Sequence, residues 1–552
     1  MTLSVLAGLT ACSGGRPTGA GPDPRPGSAA GPAASAARAA VPLTPRTRPP
    51  SPATLVLAAG AAGAMATDVA RQLFVSAPVV VVADADRPAA LAAAASQAVR
   101  AHAPLLLITT GPGPASASAA PPSGPPPSGP RPSAASALSG APPPSGAPPG
   151  RVRADAVTVS SAQRTEIEDL HPRTVLAVGM AAAALSARLP GVHVVTGLNR
   201  LPATTAPPPL THVAVLVPAD ESPATLAVTT TAQVAGAAVV PVHGGDPRAD
   251  PGAIAALSAV RPGHVLAAGA RFGPAARLAA RVAAAATGVQ LPGGGQVVFP
   301  GRRLVALYGD PGAPALGVLG QQDLAASLVR ARHMAALYRP LSSVPVVPAF
   351  EIIATVAQAS AGPDGSYSGV SSVASLRPWV DAATAAGFYV VLDLQPGRSD
   401  LLTQAKIYAP LLRRPNVGLA LDAEWKLGRG QVPLQQIGSV GIGEVNRVVS
   451  WLAALTAAYH LPQKLLVLHQ FRLSMIQGER GLDTRQDDLA IVVHMDGQGT
   501  PAMKQETWNA VTGAAPAGVF FGWKNFFTKD HPVLTPPETM TKTPAPVMIS
   551  YQ

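Results

Sequence analysis

Residues 416–425 read NVGLALDAEW. An apolar run of strand length ends in two carboxylates, Asp422 and Glu424, with Trp425 directly after them. Side chains two apart in a strand share a face, so both acids are expected on one side. Only 13% of the chain is charged, which makes a pair of acids closing an apolar run informative. Similar runs occur at 303–310, 344–354, 388–395, 464–471, 489–497, 518–526 and 546–552, which together with 417–425 makes eight. Between most of them lie stretches such as QQDLAASLVRARHMAALY and EVNRVVSWLAALTAAYH. Their apolar residues recur at three- and four-residue spacing, as in amphipathic helices. Eight strand and helix alternations in about 250 residues is the arithmetic of a (β/α)8 barrel. Residues 302–552 are therefore predicted to form one.

Barrel enzymes place their sites at the C-terminal ends of the strands. Here the polar residues cluster at those ends: Tyr308 and Asp310, Glu351, Asp393 and Gln395, Asp422 and Glu424, His469 and Gln470, His494 and Asp496, Trp523 and Lys524, and Tyr551. Arg303 and Lys464 are the main charges at strand starts. Several carboxylates around one mouth, beside aromatic rings, fit glycoside hydrolysis, in which one acid protonates the leaving oxygen and a second attacks or stabilises the sugar carbon. Crowding like charges raises one pKa and keeps that group protonated near neutrality. Glu424 is expected to be the general acid, with Asp422, Asp393 and Glu351 as nucleophile, base or electrostatic partner, and Asp496 in reserve. Trp425 and Trp523 are expected to stack on sugar rings and Tyr308 and Tyr551 to hydrogen-bond a substrate. Asp310, His469, His494, Asp496 and Lys524 complete the expected substrate contacts.

The Asp-x-Glu at a strand end resembles the catalytic strands of chitinase-like and lysozyme-like barrel glycosidases. A metal site built from His469, His494, Asp393 and Asp422 is the competing chemistry, since imidazole and carboxylate are ordinary zinc ligands. No His-x-His or His-Glu-x-x-His fixes that geometry, and no metal is expected. The stretch YGDPGAPALGVLGQQD at 308–323 lacks the Gly-Lys-Ser/Thr ending of a phosphate loop; no cofactor is expected.

The N-terminal half has a shorter rhythm. TLVLAAG, VVVVADAD and PLLLITT alternate with Ala-rich helical stretches, and HVAVLVPADESPATLAVTTTAQVAGAAVVPVHGGD at 212–246 parallels 79–112. Such alternation favours repeated βαβ-type modules with parallel sheets, so the fold class expected for the chain is α/β throughout. Residues 53–292 resemble the bacterial cell-wall-binding repeat 2 family: VVVVADADRPAALAAAA, HAPLLLIT and TVLAVGM carry the likeness in one copy, and VAVLVPADESPATLAVTT, GAAVVPV and HVLAAGA in the other. The family's Asp of an Asp-Ala-Leu step is Ala89 or Ala224 here. The resemblance implies contact with a cell-wall polysaccharide or another anionic wall polymer.

Composition sets the remaining bounds. Of 552 residues, 61 are Pro and 53 Gly, concentrated in two low-complexity runs. Residues 13–52 read as a disordered spacer and 111–150 as a disordered insertion within a domain. The net charge of +11 draws nucleic acid, anionic lipid and wall polymer alike. Without basic clusters interleaved with aromatics or zinc-finger spacing, no nucleic-acid partner is expected. The single cysteine, Cys12, lies in TLSVLAGLTACSGG. Leu9-Thr10-Ala11-Cys12 resembles the bacterial lipobox, behind a short apolar segment of signal-peptide layout in residues 1–12. The resemblance implies lipidation at Cys12, a membrane anchor and an outer-surface location. A monomer is expected.

Overall fold

Eight parallel strands close on themselves between residues 303 and 551. They are β1 (Arg303–Gly309), β2 (Val346–Ala357), β3 (Tyr389–Leu394), β4 (Val417–Asp422), β5 (Lys464–Gln470), β6 (Leu489–Met495), β7 (Phe520–Asn525) and β8 (Met548–Tyr551). Each pairs with the next, and β8 pairs with β1. Tyr308 lies level with Glu351, and Asp422, His469 and His494 lie level with one another. The inward polar residues climb by two at four of the contacts, from β2 to β3, β3 to β4, β6 to β7 and β8 to β1. Those four steps give the shear of eight that a (β/α)8 barrel requires.

Alternation explains why the strands read as nearly continuous apolar runs. Inward residues low in the barrel, among them Ala306, Ala349, Val391, Ala420, Val467 and Val492, fill its interior. Their neighbours, such as Leu307, Phe350, Leu392 and Leu468, face outward into the layer shared with the helices. Both faces are buried, as in parallel sheets generally. Several of the helices begin where a polar side chain satisfies their first free N–H groups. Asp323 accepts from Ala326 N at 2.8 Å, Ser372 from Ser375 N at 3.1 Å, and Asp400 from Thr403 N at 3.0 Å.

A computed structural model describes residues 41–111 and 156–552. Cys12, residues 13–40 of the expected spacer and residues 112–150 of the expected insertion lie outside the described residues. Residues Pro42–Gln552 form one unit. Before the barrel come a two-stranded pairing and two larger sheets. One has the order Ala156–Thr158, Leu105–Gly111, Val79–Asp84, Thr174–Val178, Val194–Val195, and is parallel apart from its first strand. The other is parallel throughout, in the order Ala238–Val242, Val213–Pro218, His264–Ala268, Thr54–Leu57. Two expectations change here. TLVLAAG, grouped by its rhythm with VVVVADAD and PLLLITT, does not share their sheet; Thr54–Leu57 pairs with Val265–Ala268 at the edge of the second. The spacer also ends earlier than residue 52, because Arg46–Thr47 pairs with Phe74–Ser76 and Leu43 bridges Thr204. No helix among the described residues is long and apolar enough to cross a membrane.

The segment between the second sheet and β1 closes the base of the barrel. Leu291, Val298 and Phe299 join the interior core beneath Leu304 and Ala306. Arg302, which is buried, donates to the carbonyls of Val298 at 3.1 Å, Gly294 at 2.6 Å and Val297 at 3.0 Å, and also to that of Pro292. Asp487, in the loop before β6, pairs with Arg248 at 2.8 Å and Arg281 at 2.5 Å from the second sheet's side. The opposite end, where the strands terminate, is left for the site.

Candidate active site

One inward residue from each strand floors the mouth: Tyr308, Glu351, Asp393, Asp422, His469, His494, Lys524 and Ser550. Each is almost wholly buried. Period-two alternation places them there, each two residues above an apolar interior residue of its own strand or, on β7, above Gly522. His469 is the hub. Its Nε2 lies 2.9 Å from Glu351 Oε1 and 3.9 Å from Asp393 Oδ1, and its Nδ1 approaches Asp496 Oδ2 to 3.2 Å without the alignment of a hydrogen bond. Tyr308 donates to Asp393 Oδ2 at 2.8 Å and accepts from Gln395 at 3.3 Å. His494 stands edge-on to His469, ring centroids 5.3 Å apart, with its Nε2 2.7 Å from Ser550 Oγ. The ammonium of Lys524 sits over the Tyr308 ring, 3.4 Å from its centroid.

Above this floor opens a cavity of about 520 Å³. Its carboxylates are Glu424 and Asp496; Tyr308, Gln395, Trp425 and Lys524 also line it. Strand β4 ends at Asp422, and Ala423–Trp425 forms a 3₁₀ turn. The expected shared face is thus replaced by a stacked arrangement, with Asp422 sealed in the floor and Glu424 carried over it into the cavity wall.

Charge is arranged unevenly across these groups. Burial, then the negative charge of Asp496, pushes Glu424 up to about 7, against the pull of Lys524 and His469. Burial raises Asp393 to about 6, with His469 opposing and Glu351 adding to the rise. Burial together with Glu424 and Asp393 holds Asp422 well above the carboxylate range. Burial alone would lower His469, but Glu351, Asp496 and Asp393 reverse that and hold it well above the usual imidazole value. Burial and the neighbouring charges of His469 and Lys524 keep His494 far below it. The result is one imidazolium and one neutral imidazole beside two carboxyls, Asp422 and Glu424, that are pushed toward their protonated form.

Not every residue expected at the mouth reaches it. Trp523 points out of the barrel, packs on Trp508 with centroids 5.5 Å apart, and gives its Nε1–H to Asn525 at 2.8 Å. Tyr551 also faces outward, stacked on Phe527, with its hydroxyl 2.6 Å from that of Tyr338. Asp310 lies just beyond β1 and accepts from Gly312 N at 2.6 Å in a tight turn, outside the cavity lining. Glu351, Asp393, His469 and His494 lie below the cavity instead of in its wall. Among the described residues no group of three or more His, Cys, Asp or Glu has the geometry to hold a metal ion. Sequence reasoning missed Phe471, Arg472, Phe526 and Lys529, which line the cavity from the loops after β5 and β7. The only signal for them is their position one to four residues past a strand end. No known protein-family model matches the chain, and no curated protein matches it in sequence.

Proposed function

We propose that the barrel is a glycoside hydrolase acting on a polysaccharide, with Glu424 as general acid and Asp496 as the second carboxylate at the sugar carbon. The observation that carries this reading is that these are the two acids lining a single cavity, while Glu351, Asp393 and Asp422 are sealed beneath it. A carboxyl held near 7 is protonated in a large share of molecules at neutral pH and can deliver that proton, which suits an acid catalyst. Trp425, in the cavity wall, offers a ring face for a sugar. The buried acids act through His469 and Tyr308, which fix the electrostatics of the floor. On this reading Asp496 moves from reserve to partner, and Asp422, Asp393 and Glu351 are electrostatic supports.

The same proposal makes the N-terminal α/β part, as repeated modules, the wall-polymer holder and the whole chain a lipid-anchored protein of the outer surface. The resemblance to wall-binding repeats and the net charge of +11 support that part. The test is release of reducing ends from wall and storage glycans by the purified chain. Glu424→Gln is expected to lower the rate by about 10²–10⁴-fold, the usual worth of a positioned proton donor, with wall sedimentation unchanged. Wall binding by a wild type that cleaves none of these glycans would leave a non-catalytic surface binder instead.

A further inference from the structure

We infer that the barrel cavity takes a sugar bearing a negative charge, seated with its carboxylate or phosphate against the ammonium of Lys524. The inference rests on the glycan reading of this site but not on catalysis. Lys524 is only 3% exposed, yet it lines the cavity. Among the described residues its ammonium has no hydrogen-bond acceptor and no ion-pair partner. Its contacts are the Tyr308 ring at 3.4 Å and the Phe526 ring at 5.2 Å. A ring face attracts a cation, but it leaves the three N–H donors unsatisfied. The ammonium is not among the fully enclosed atoms, so its donors open on the cavity, where an entering anion would accept from them.

The charges of the wall point the same way. Lys524, Lys529 and Arg472 face it against Glu424 and Asp496. Glu424, held up to about 7, carries only part of a negative charge at neutrality, so the wall is net positive. Beneath it, His469 already answers Glu351, Asp393 and Asp496. Lys524 acts on Asp393 and Glu424 through space, but no carboxylate among the described residues lies within ion-pair distance of its ammonium. Lys529 and Arg472, at the exposed rim, extend the positive side outward along the path an acidic chain would follow.

The experiment uses the full chain carrying Glu424→Gln, so that no ligand is consumed, and calorimetry with matched pairs: glucuronic acid and glucose, galacturonic acid and galactose, glucose 6-phosphate and glucose. In at least one pair the acidic member is expected to bind about tenfold more tightly, with the preference shrinking as salt rises from about 50 mM to about 500 mM. Lys524→Met is expected to abolish the preference. Should that variant fold poorly, the rim double variant Arg472→Gln, Lys529→Gln decides, with an expected loss of about threefold. Equal or better binding of the neutral member in every pair, no binding by any member, or a preference that survives both variants overturns the inference. Cleavage of neutral glycans by the wild type, without acidic preference, sinks the inference and leaves the hydrolase reading standing; acidic preference without cleavage does the reverse.

Discussion

At the base of the barrel, buried Arg302 gives its guanidinium to four backbone carbonyls, and buried Arg248 meets Asp246 and Asp487, each at 2.8 Å. At the mouth, Glu351 Oε2, Asp393 Oδ1, Asp422 Oδ1, Asp496 Oδ1 and His494 Nδ1 are buried with no hydrogen-bond partner among the described residues, whereas the segment closing the base holds one such atom, Gln296 Oε1. The strands are the same, and so is the depth of burial. What differs is whether the polar atoms are answered within the chain. A buried group left unanswered costs about 1–3 kcal/mol, more if charged, and a fold tolerates several in one place when they serve a ligand or a reaction. The base is built for stability. The mouth gives stability up.

The sharpest way to break that contrast is to remove the hub. His469 is the imidazolium that Glu351, Asp393 and Asp496 share. His469→Ala leaves buried carboxylates without their cation, and such a loss typically costs about 3–5 kcal/mol. The expected result is a large drop in the urea midpoint at pH 7, partly recovered at low pH as the orphaned acids protonate. A variant as stable as the wild type at every pH would show that the mouth is not electrostatically loaded.

The next effect has the opposite sign. An acid whose pKa is higher folded than unfolded binds more protons in the folded state, so stability falls as pH rises through that interval. Glu424, raised from 4.5 to about 7, and Asp393, raised from 3.8 to about 6, define a window between about pH 4 and pH 7. Lys464, which burial lowers to about 7, and His494, held far below the usual imidazole value, act with the opposite sign, because the unfolded chain then binds the extra proton. The acids' contribution is therefore read from the difference between wild type and variant. Glu424→Gln removes one contribution and should gain about 1–2 kcal/mol at pH 8 relative to pH 5, while losing activity. Asp422→Asn should shift in the same direction. Scanning calorimetry at the two pH values checks both variants.

How much of this contrast was legible in the sequence depends on whether a residue's place is set locally. All eight barrel strands were, because burial on both faces writes each as an apolar run and a polar residue closes it. Seven of the eight floor residues were legible for the same reason; Ser550 was passed over for its neighbour Tyr551. Trp523 and Tyr551 were misplaced although alternation decides them: with Lys524 and Ser550 facing in, their neighbours must face out. Glu424 reaches the cavity by a 3₁₀ turn and not by strand periodicity, so its place at the mouth was expected on the wrong geometry. The cavity residues Arg472, Phe526 and Lys529 lie in loops whose course is set by tertiary packing. The pairing of Thr54–Leu57 with Val265–Ala268 spans about two hundred residues, and nothing local records which sheet an apolar strand will join.

The smallest effect expected tests the base. Asp487 holds Arg248 and Arg281, but both guanidinium groups also reach Asp246, at 2.8 and 3.3 Å. Asp487→Ala thus leaves neither arginine bare, and the expected cost is about 1 kcal/mol. Burial alone would raise the Asp487 carboxyl; Arg281 and Arg248 overcome that and hold it below the usual range. Its contribution is therefore present above the unfolded carboxylate pKa and lost as pH falls through the lower folded value, so wild type and variant should converge in acid. Glycan binding should not change, since the cavity opens at the other end of the strands. If Asp487→Ala weakened sugar binding as well as stability, the two ends of the barrel would be coupled, and the division between a largely satisfied base and an unsatisfied mouth would not hold.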